Sequence, residues 1–129
     1  RKFPKTLIPY GGSQWWTITT DVAEKIFIFL QENPNYLKYH KYSLIPDEMF
    51  FQSILLNLAR KDDTIKIKNN SLTYTNWTRK GCALPVTFQT NDLTELLECT
   101  NNDKFFARKF DVDLDEEIMN LLDKRVICD

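Results

Sequence analysis

The segment Pro46-Asp47-Glu48-Met49-Phe50-Phe51-Gln52 sets two carboxylates at what reads as the first turn of a helix, just ahead of a strongly apolar stripe. Glu48 and Gln52 stand at i and i+4, so on a helix they share a face. A carboxylate at the edge of an apolar face can take a proton as a general base. The plainer explanation is negative charge matched to the positive end of the helix dipole. Phe105-Phe106-Ala107-Arg108-Lys109-Phe110 sets two adjacent cations among aromatics. Arg offers a planar fork and Lys a point charge, and both suit phosphate oxygens. Such a pair could neutralise a diphosphate leaving group without a metal. The plainer explanation here is an edge strand in which buried Phe alternates with solvated charge. Trp15, Trp16, Tyr74 and Trp77 form a third set. Exposed, they would stack on sugar faces; otherwise they are core. Asp111-Val112-Asp113 has the spelling of a metal–nucleotide site, but it leads into a helix, where capping explains it better.

The elements that must position these residues can be read from periodicity. Pro4, Pro9 and Gly11-Gly12 mark an opening loop. Gln14 to Thr19 is aromatic and β-branched and predicts a short strand. Asp21 and Glu24 form a capping-box pair, followed by Val22, Ile26, Phe29 and Leu30 at helical spacing. Pro34 predicts the end of that helix near Asn33, and Asn35 to Ser43 reads as a linker. Pro46 opens a helix running to about Ala59 through Phe50, Phe51, Ile54, Leu55 and Leu58. Ile65 and Ile67, then Leu72 and Tyr74, alternate on either side of Asn69-Asn70-Ser71, which predicts a β-hairpin. Lys80 to Gln89 reads as loop. Asp92 with Glu95, and Asp113 with Glu116, open two further short helices. The chain is mixed α and β, with few strands and about four helices.

Bulk composition narrows the partners. The chain has 129 residues, 43% hydrophobic and 27% charged, which are globular values. Its 17 basic and 18 acidic side chains give a net charge of -1, which disfavours a nucleic-acid module. The longest apolar run, Ile26 to Leu30, is too short to span a bilayer. The chain opens on Arg1-Lys2 without a Met, which fits a processed chain or a fragment. Cys82, Cys99 and Cys128 form no CxxC pair, and His40 is the single histidine. Neither a metal site nor a disulfide framework is signalled, and a reducing compartment is the simpler reading. Asn69-Asn70-Ser71 and Asn76-Trp77-Thr78 are glycosylation sequons that chance explains in a chain rich in Asn and Thr.

Taken in order, Gly12-Ser13-Gln14-Trp15-Trp16, Ile45 to Gln52 and Phe106-Ala107-Arg108-Lys109-Phe110-Asp111 resemble the core-2/I-branching β-1,6-N-acetylglucosaminyltransferase family. That family includes peptide xylosyltransferases and bacterial relatives, and the lack of cysteine-rich segments looks more like the bacterial branch. The resemblance spans roughly Gly11 to Asp123. It implies a GT-A-like α/β fold and an inverting, metal-independent glycosyltransferase without a cofactor. The enzyme would move N-acetylglucosamine or xylose from a UDP-sugar to a hydroxyl of a glycan or protein acceptor.

By the same resemblance Glu48 is the general base, Lys109 contacts the donor diphosphate with Arg108 beside it, and Trp77 helps bind the acceptor. Gly12 and Ser13 shape the approach to the site. A second basic diphosphate contact lies upstream of the Lys in animal members, with Arg79 and Lys80 as candidates. Family catalytic domains are much longer than this chain, and nothing in it resembles their nucleotide-binding βαβ layer. Residues 1–129 are therefore expected to form the C-terminal, acceptor-side portion of one catalytic domain. A bacterial enzyme of this kind would work at the cytoplasmic membrane face, with peripheral attachment of the full-length protein. An animal one would work in the Golgi lumen. The alternative is a non-catalytic carbohydrate-binding or interaction domain on the same scaffold.

Overall fold

The computed structural model describes residues 2–126, so Arg1 and Cys128 lie outside the described residues. The chain divides into two compact units, Arg1–Asn70 and Ser71–Asp129. Among the described residues there are five α-helices and one sheet of two parallel strands. No helix among them is long and apolar enough to cross a membrane.

The first unit is built on three helices: α1 (Thr20–Glu32), α2 (Pro34–His40) and α3 (Phe50–Ala59). Thr19, not Asp21, caps α1: its Oγ1 accepts from the Val22 N–H at 3.4 Å. Asp21 falls instead in the first turn, where it meets the helix dipole. At the other end Asn33 closes α1, donating to the Phe29 carbonyl from its backbone N–H and from Nδ2. Pro34 does not lead into the expected linker. It starts α2, because a missing N–H costs nothing at the first helical position. Ile26 and Phe29 of α1, Tyr36 of α2 and Ile54 of α3 make the core, with Phe50, Phe51, Leu55 and Leu58 packed around it. Burial of Tyr36 pushes its phenol up to about 12, against a hydrogen bond with Ser53 that lowers it. Its hydroxyl donates to the Phe50 carbonyl at 2.6 Å.

The expected strand over Gln14–Thr19 is absent, as is the expected hairpin. Ile65 is buried but Ile67 is exposed, so the two do not share one buried face as strand alternation requires. The strand partner is not the neighbouring segment, however. β1 (Thr73–Tyr74) pairs in parallel with β2 (Phe106–Ala107), in the register Thr73 to Phe106 and Tyr74 to Ala107. Asn69-Asn70-Ser71, read as the hairpin turn, is where the chain passes from the first unit to the second.

In the second unit Val86, Phe88, Leu96 and Ile118 are buried, and Tyr74, Ala107, Phe110 and Leu122 pack against them. Leu96 belongs to α4 (Leu93–Cys99) and Ile118 to α5 (Glu117–Val126). A 3-10 turn, Thr90–Asp92, precedes α4, and the capping box there is Gln89 with Asp92, one step upstream of the expected Asp92–Glu95 pair. The last helix starts at Glu117, later than expected. Asp115 accepts from the Ile118 N–H and from both the N–H and the hydroxyl of Thr90, tying the start of α5 to that turn. Asp111 accepts from the Asp113 N–H, so this pair serves a turn and not the expected helix cap, which falls to Asp115.

Polar side chains on α3 hold the opening segment of the first unit. Asn57 accepts from the Ile8 N–H at 3.1 Å and donates to the Ile8 carbonyl at 2.7 Å. Ser53 Oγ accepts from the Tyr10 N–H at 2.9 Å and donates to the Tyr10 carbonyl at 3.2 Å. Both side chains are buried. Replacing Asn57 by Leu leaves both polar groups of Ile8 without this partner, which should cost roughly 1–3 kcal/mol. Denaturant unfolding is expected to show a lower midpoint at unchanged slope. An unaltered midpoint would mean that something else anchors the segment.

Candidate active site

Glu48 does not lie within the apolar helix. It ends a separate 3-10 turn, Pro46–Glu48, and Met49 breaks the backbone before α3 begins. Ile45, just before the turn, has φ of 50°. A β-branched residue is rarely left-handed, and such an outlier persists only where its surroundings fix it. Several bonds do so here. Met49 N–H donates to the Pro46 carbonyl at 3.0 Å, and Gly12 N–H donates to the Glu48 carbonyl at 2.9 Å. Gln52 Nε2 donates to the carbonyls of Ser13 at 2.7 Å, Asp47 at 3.0 Å and Gly12 at 3.3 Å. Gly12 suits this approach, since a Cβ there would sit 3.2 Å from Gln52 Cγ and press that side chain aside. The Glu48 side chain itself is exposed.

Beside this turn lies a cavity of about 210 Å³, lined by Tyr39, His40, Ser43, Leu44, Ile45 and Met49, with Pro46 at its edge. Leu44 on its rim is 91% exposed. A hollow of about 370 Å³ near Lys2, Lys5, Glu32 and Tyr39 is lined by none of the candidate site residues Glu48, Trp77, Arg108 and Lys109. Trp15 and Trp16 are both partly exposed, and Trp16 packs on Phe51 with ring centroids 4.5 Å apart.

Arg108 and Lys109 follow β2 in the second unit. The backbone fixes them from two sides: Arg108 N–H donates to the Tyr74 carbonyl, Lys109 N–H to that of Val86, and the Lys109 carbonyl accepts from Phe88 N–H. Arg108 is half-buried and Lys109 exposed. The phenylalanines do not follow the alternation of an edge strand. Phe105 and Phe106 are exposed, whereas Ala107 and Phe110 face the core. Trp77, at 59% exposed, is surface and not core. Tyr74 is the exception among the expected aromatics, stacking on Phe88 at 5.7 Å.

Arg79 has a different setting. Its Nη2 donates to Asp92 at 2.8 Å and to Glu95 at 2.6 Å. Glu95 also accepts from the Tyr74 hydroxyl and from Asn76 Nδ2, each at 2.8 Å. Hydrogen bonding to Asp92 and Glu95 drives the Arg79 guanidinium further up against a burial effect that lowers it. Burial would raise both carboxyls. The Arg79 and Gln89 bonds outweigh it at Asp92, and those from Asn76, Tyr74 and Arg79 outweigh it at Glu95, so each titrates below its ordinary value. Two carboxylates around one cation leave a locally negative cluster, a poor seat for a diphosphate. Among the described residues, no group of three or more His, Cys, Asp or Glu side chains could hold a metal ion.

The model of the Core-2/I-Branching enzyme family matches residues 1–102, well over half of the chain. The chain belongs to this family. Among curated proteins it is similar to xylosyltransferase 2 of Rattus norvegicus, 29% identical over 140 residues, covering 95% of the chain and 15% of that protein. Xylosyltransferase 2 of Homo sapiens is 28% identical over the same share of each chain. Xylosyltransferase 1 of Rattus norvegicus is 29% identical, with 95% of this chain and 16% of that protein covered. The chain thus spans about 15% of the length of these relatives. No solved structure matches it. The family match takes in Glu48 and Trp77 and stops short of Arg108 and Lys109.

For this family member the sequence reading missed the residues that hold the motifs in place. Gln52, Ser53 and Asn57 carried a signal, as polar positions on an otherwise apolar helix. Glu95 was read as a cap, and its three partners come from segments that no local pattern connects to it. The lowered carboxyls make a pH prediction for the second unit. At acid pH the unfolded chain binds more protons than the folded one, so stability rises with pH. The contribution is full above the ordinary values of 3.8 and 4.5 and is lost as pH falls through the lower folded values. Arg79→Met removes the cation and should flatten this dependence. Melting temperatures at pH 7 and pH 3 check it: equal losses in the two proteins would contradict the assignment.

Proposed function

We propose that the chain is the acceptor-side, C-terminal portion of a GT-A-like catalytic domain in an inverting, metal-independent glycosyltransferase. Family membership supports a glycosyltransferase. The similar proteins are xylosyltransferases, which favours xylose as the sugar moved; the donor in this reading is a UDP-sugar and the acceptor a protein or glycan hydroxyl. The observation that carries the reading is the Glu48 turn: an exposed carboxylate on a backbone held by Gly12, Gln52 and a left-handed Ile45. Fixed direction is what a general base needs, whereas a helix-dipole charge needs none.

In this reading Glu48 takes the proton of the acceptor hydroxyl as that oxygen attacks the anomeric carbon. The bond from that carbon to the diphosphate oxygen breaks, and the UDP leaves with the electron pair. A single displacement inverts the stereocentre. Lys109, with Arg108, meets the negative charge that grows on the diphosphate. Trp77 offers an aromatic face to an acceptor sugar or peptide. Arg79 is set aside as a diphosphate contact because two carboxylates already hold it. The second reading, a carbohydrate-binding domain, draws on the same exposed Trp15, Trp16 and Trp77.

In the complete enzyme, Glu48→Gln keeps shape and removes the base. Turnover should fall by about 10²- to 10⁴-fold with donor binding retained; unchanged turnover would sink the assignment. Lys109→Ala should weaken UDP binding in calorimetry by roughly tenfold to a hundredfold, since a charge-assisted bond is lost. UDP affinity equal to that of the parent would remove Lys109 from the donor site. Binding of oligosaccharides with none of UDP would favour the second reading.

A further inference from the structure

We infer that Gln52 is the positioning residue for Glu48, an inference that rests on the reading of Glu48 as base. Its carboxamide joins the Gly12–Ser13 segment to the turn carrying Glu48: Nε2 reaches the carbonyls of Gly12, Ser13 and Asp47. Gly12 in turn donates its N–H to the Glu48 carbonyl, which closes a loop of contacts around the base.

The surroundings dictate the orientation of this amide. Three carbonyl oxygens face Nε2, so rotating the amide would aim Oε1 at all three, where it can only repel. Oε1 instead points into a buried position with no hydrogen-bond partner. A buried acceptor left unmatched calls for an explanation. Here the other end of the amide cannot be given up without releasing the turn.

The same contacts separate positioning from stability. The bonds to Gly12 and Ser13 are exposed, so water can take over those carbonyls when the donor is lost, and the part-buried bond to Asp47 ends on the turn itself. Removing the amide therefore leaves the fold standing and frees the direction of the Glu48 turn. Small misplacement of a catalytic group lowers turnover steeply, while ground-state donor binding is untouched. Gln52 thus acts through Glu48, without touching substrate.

The test is a kinetic double-mutant cycle in the complete enzyme, with Gln52→Met, Glu48→Gln and both together. Met keeps the length and removes the donor. Gln52→Met should lower kcat by about tenfold to a hundredfold, with KM for the sugar nucleotide within about twofold of the parent and an unchanged melting temperature. In the Glu48→Gln background the same change should cost less than about twofold, because there is no base left to direct. Full activity of Gln52→Met, or equal losses in the two backgrounds, overturns the inference. If Gln52→Met does not fold, Gln52→Glu serves: it keeps the shape, sets a carboxylate against three carbonyls and should lose kcat alike, and full activity overturns the proposal. An active Glu48→Gln variant sinks the base assignment and this inference with it. An inactive one beside a fully active Gln52 variant sinks this inference alone.

Discussion

The first unit depends on a match of two periods. Alternate residues of the opening segment, Ile8 and Tyr10, meet α3 residues one helical turn apart, Asn57 and Ser53. Two residues of extended chain advance about 6.6 Å. Four residues of helix advance about 6.0 Å. The steps are close enough for two successive reciprocal pairs to form, each like the exchange between two β-strands. By the third step the helix has run out. Gly12 meets the backbone of Glu48 instead, and Gln52 supplies the side chain. The segment that begins as a stability device thus ends against the turn that carries Glu48.

This ordering explains why α3 is less apolar than its core role requires. A helix whose other face packs Ile54, Leu55 and Leu58 into the core gains nothing from Ser53 and Asn57 unless they bind something. They bind backbone, and backbone contacts leave no trace in the sequence of the segment they hold. A comparable division exists in the second unit. Glu95 gathers Tyr74, Asn76 and Arg79, three residues on or just after β1, and so fixes the stretch that leads to Trp77. Arg79 is the cation that holds structure there, while Lys109 is presented to solvent. The near-zero net charge conceals this separation of roles.

Much of the fold was legible because amphipathic helices write their own period. Val22, Ile26 and Phe29, or Ile118 and Leu122, announce a face without knowing its partner. Pro34 marked the end of α1 near Asn33 correctly but hid the start of α2, because one residue can end a helix or begin one; Asn33 closes α1 and precedes α2. The hairpin misled for a different reason. Alternation at Ile65, Ile67, Leu72 and Tyr74 makes the nearest alternating segment the natural candidate for a partner, yet Ile65 and Ile67 differ in burial and form no strand. The true partner of β1 lies beyond α4, and a parallel pair needs such a crossover. Glu48, Lys109 and Trp77 were legible as motif members, and all three prove exposed. The way each is held was not legible, because it depends on Gly12, on Gln52 and on the carbonyls of Val86 and Tyr74.

The contrast between Glu48 and its neighbours follows from chemistry. In the proposed role Glu48 acts through its side chain, so there the identity of the residue matters. Asp47 contributes its carbonyl to Gln52, and Gly12 contributes its N–H and carbonyl, so each acts through groups that nearly every residue owns. What restricts Gly12 is space: a Cβ would press on Gln52 Cγ at 3.2 Å. What restricts Gln52 is the need for a donor of one length facing three oxygens, which Glu cannot supply when ionised and Asn cannot reach. Ile45 adds a third kind of restriction. Pro46 disfavours the right-handed helical conformation before it, and the bonds that fix the turn hold Ile45 left-handed despite its branched side chain. A turn whose backbone is held by a spatial limit, a donor limit and a backbone limit at once is costly to build for helix-dipole matching alone. That cost is the physical reason to read Glu48 as the group the turn exists to aim.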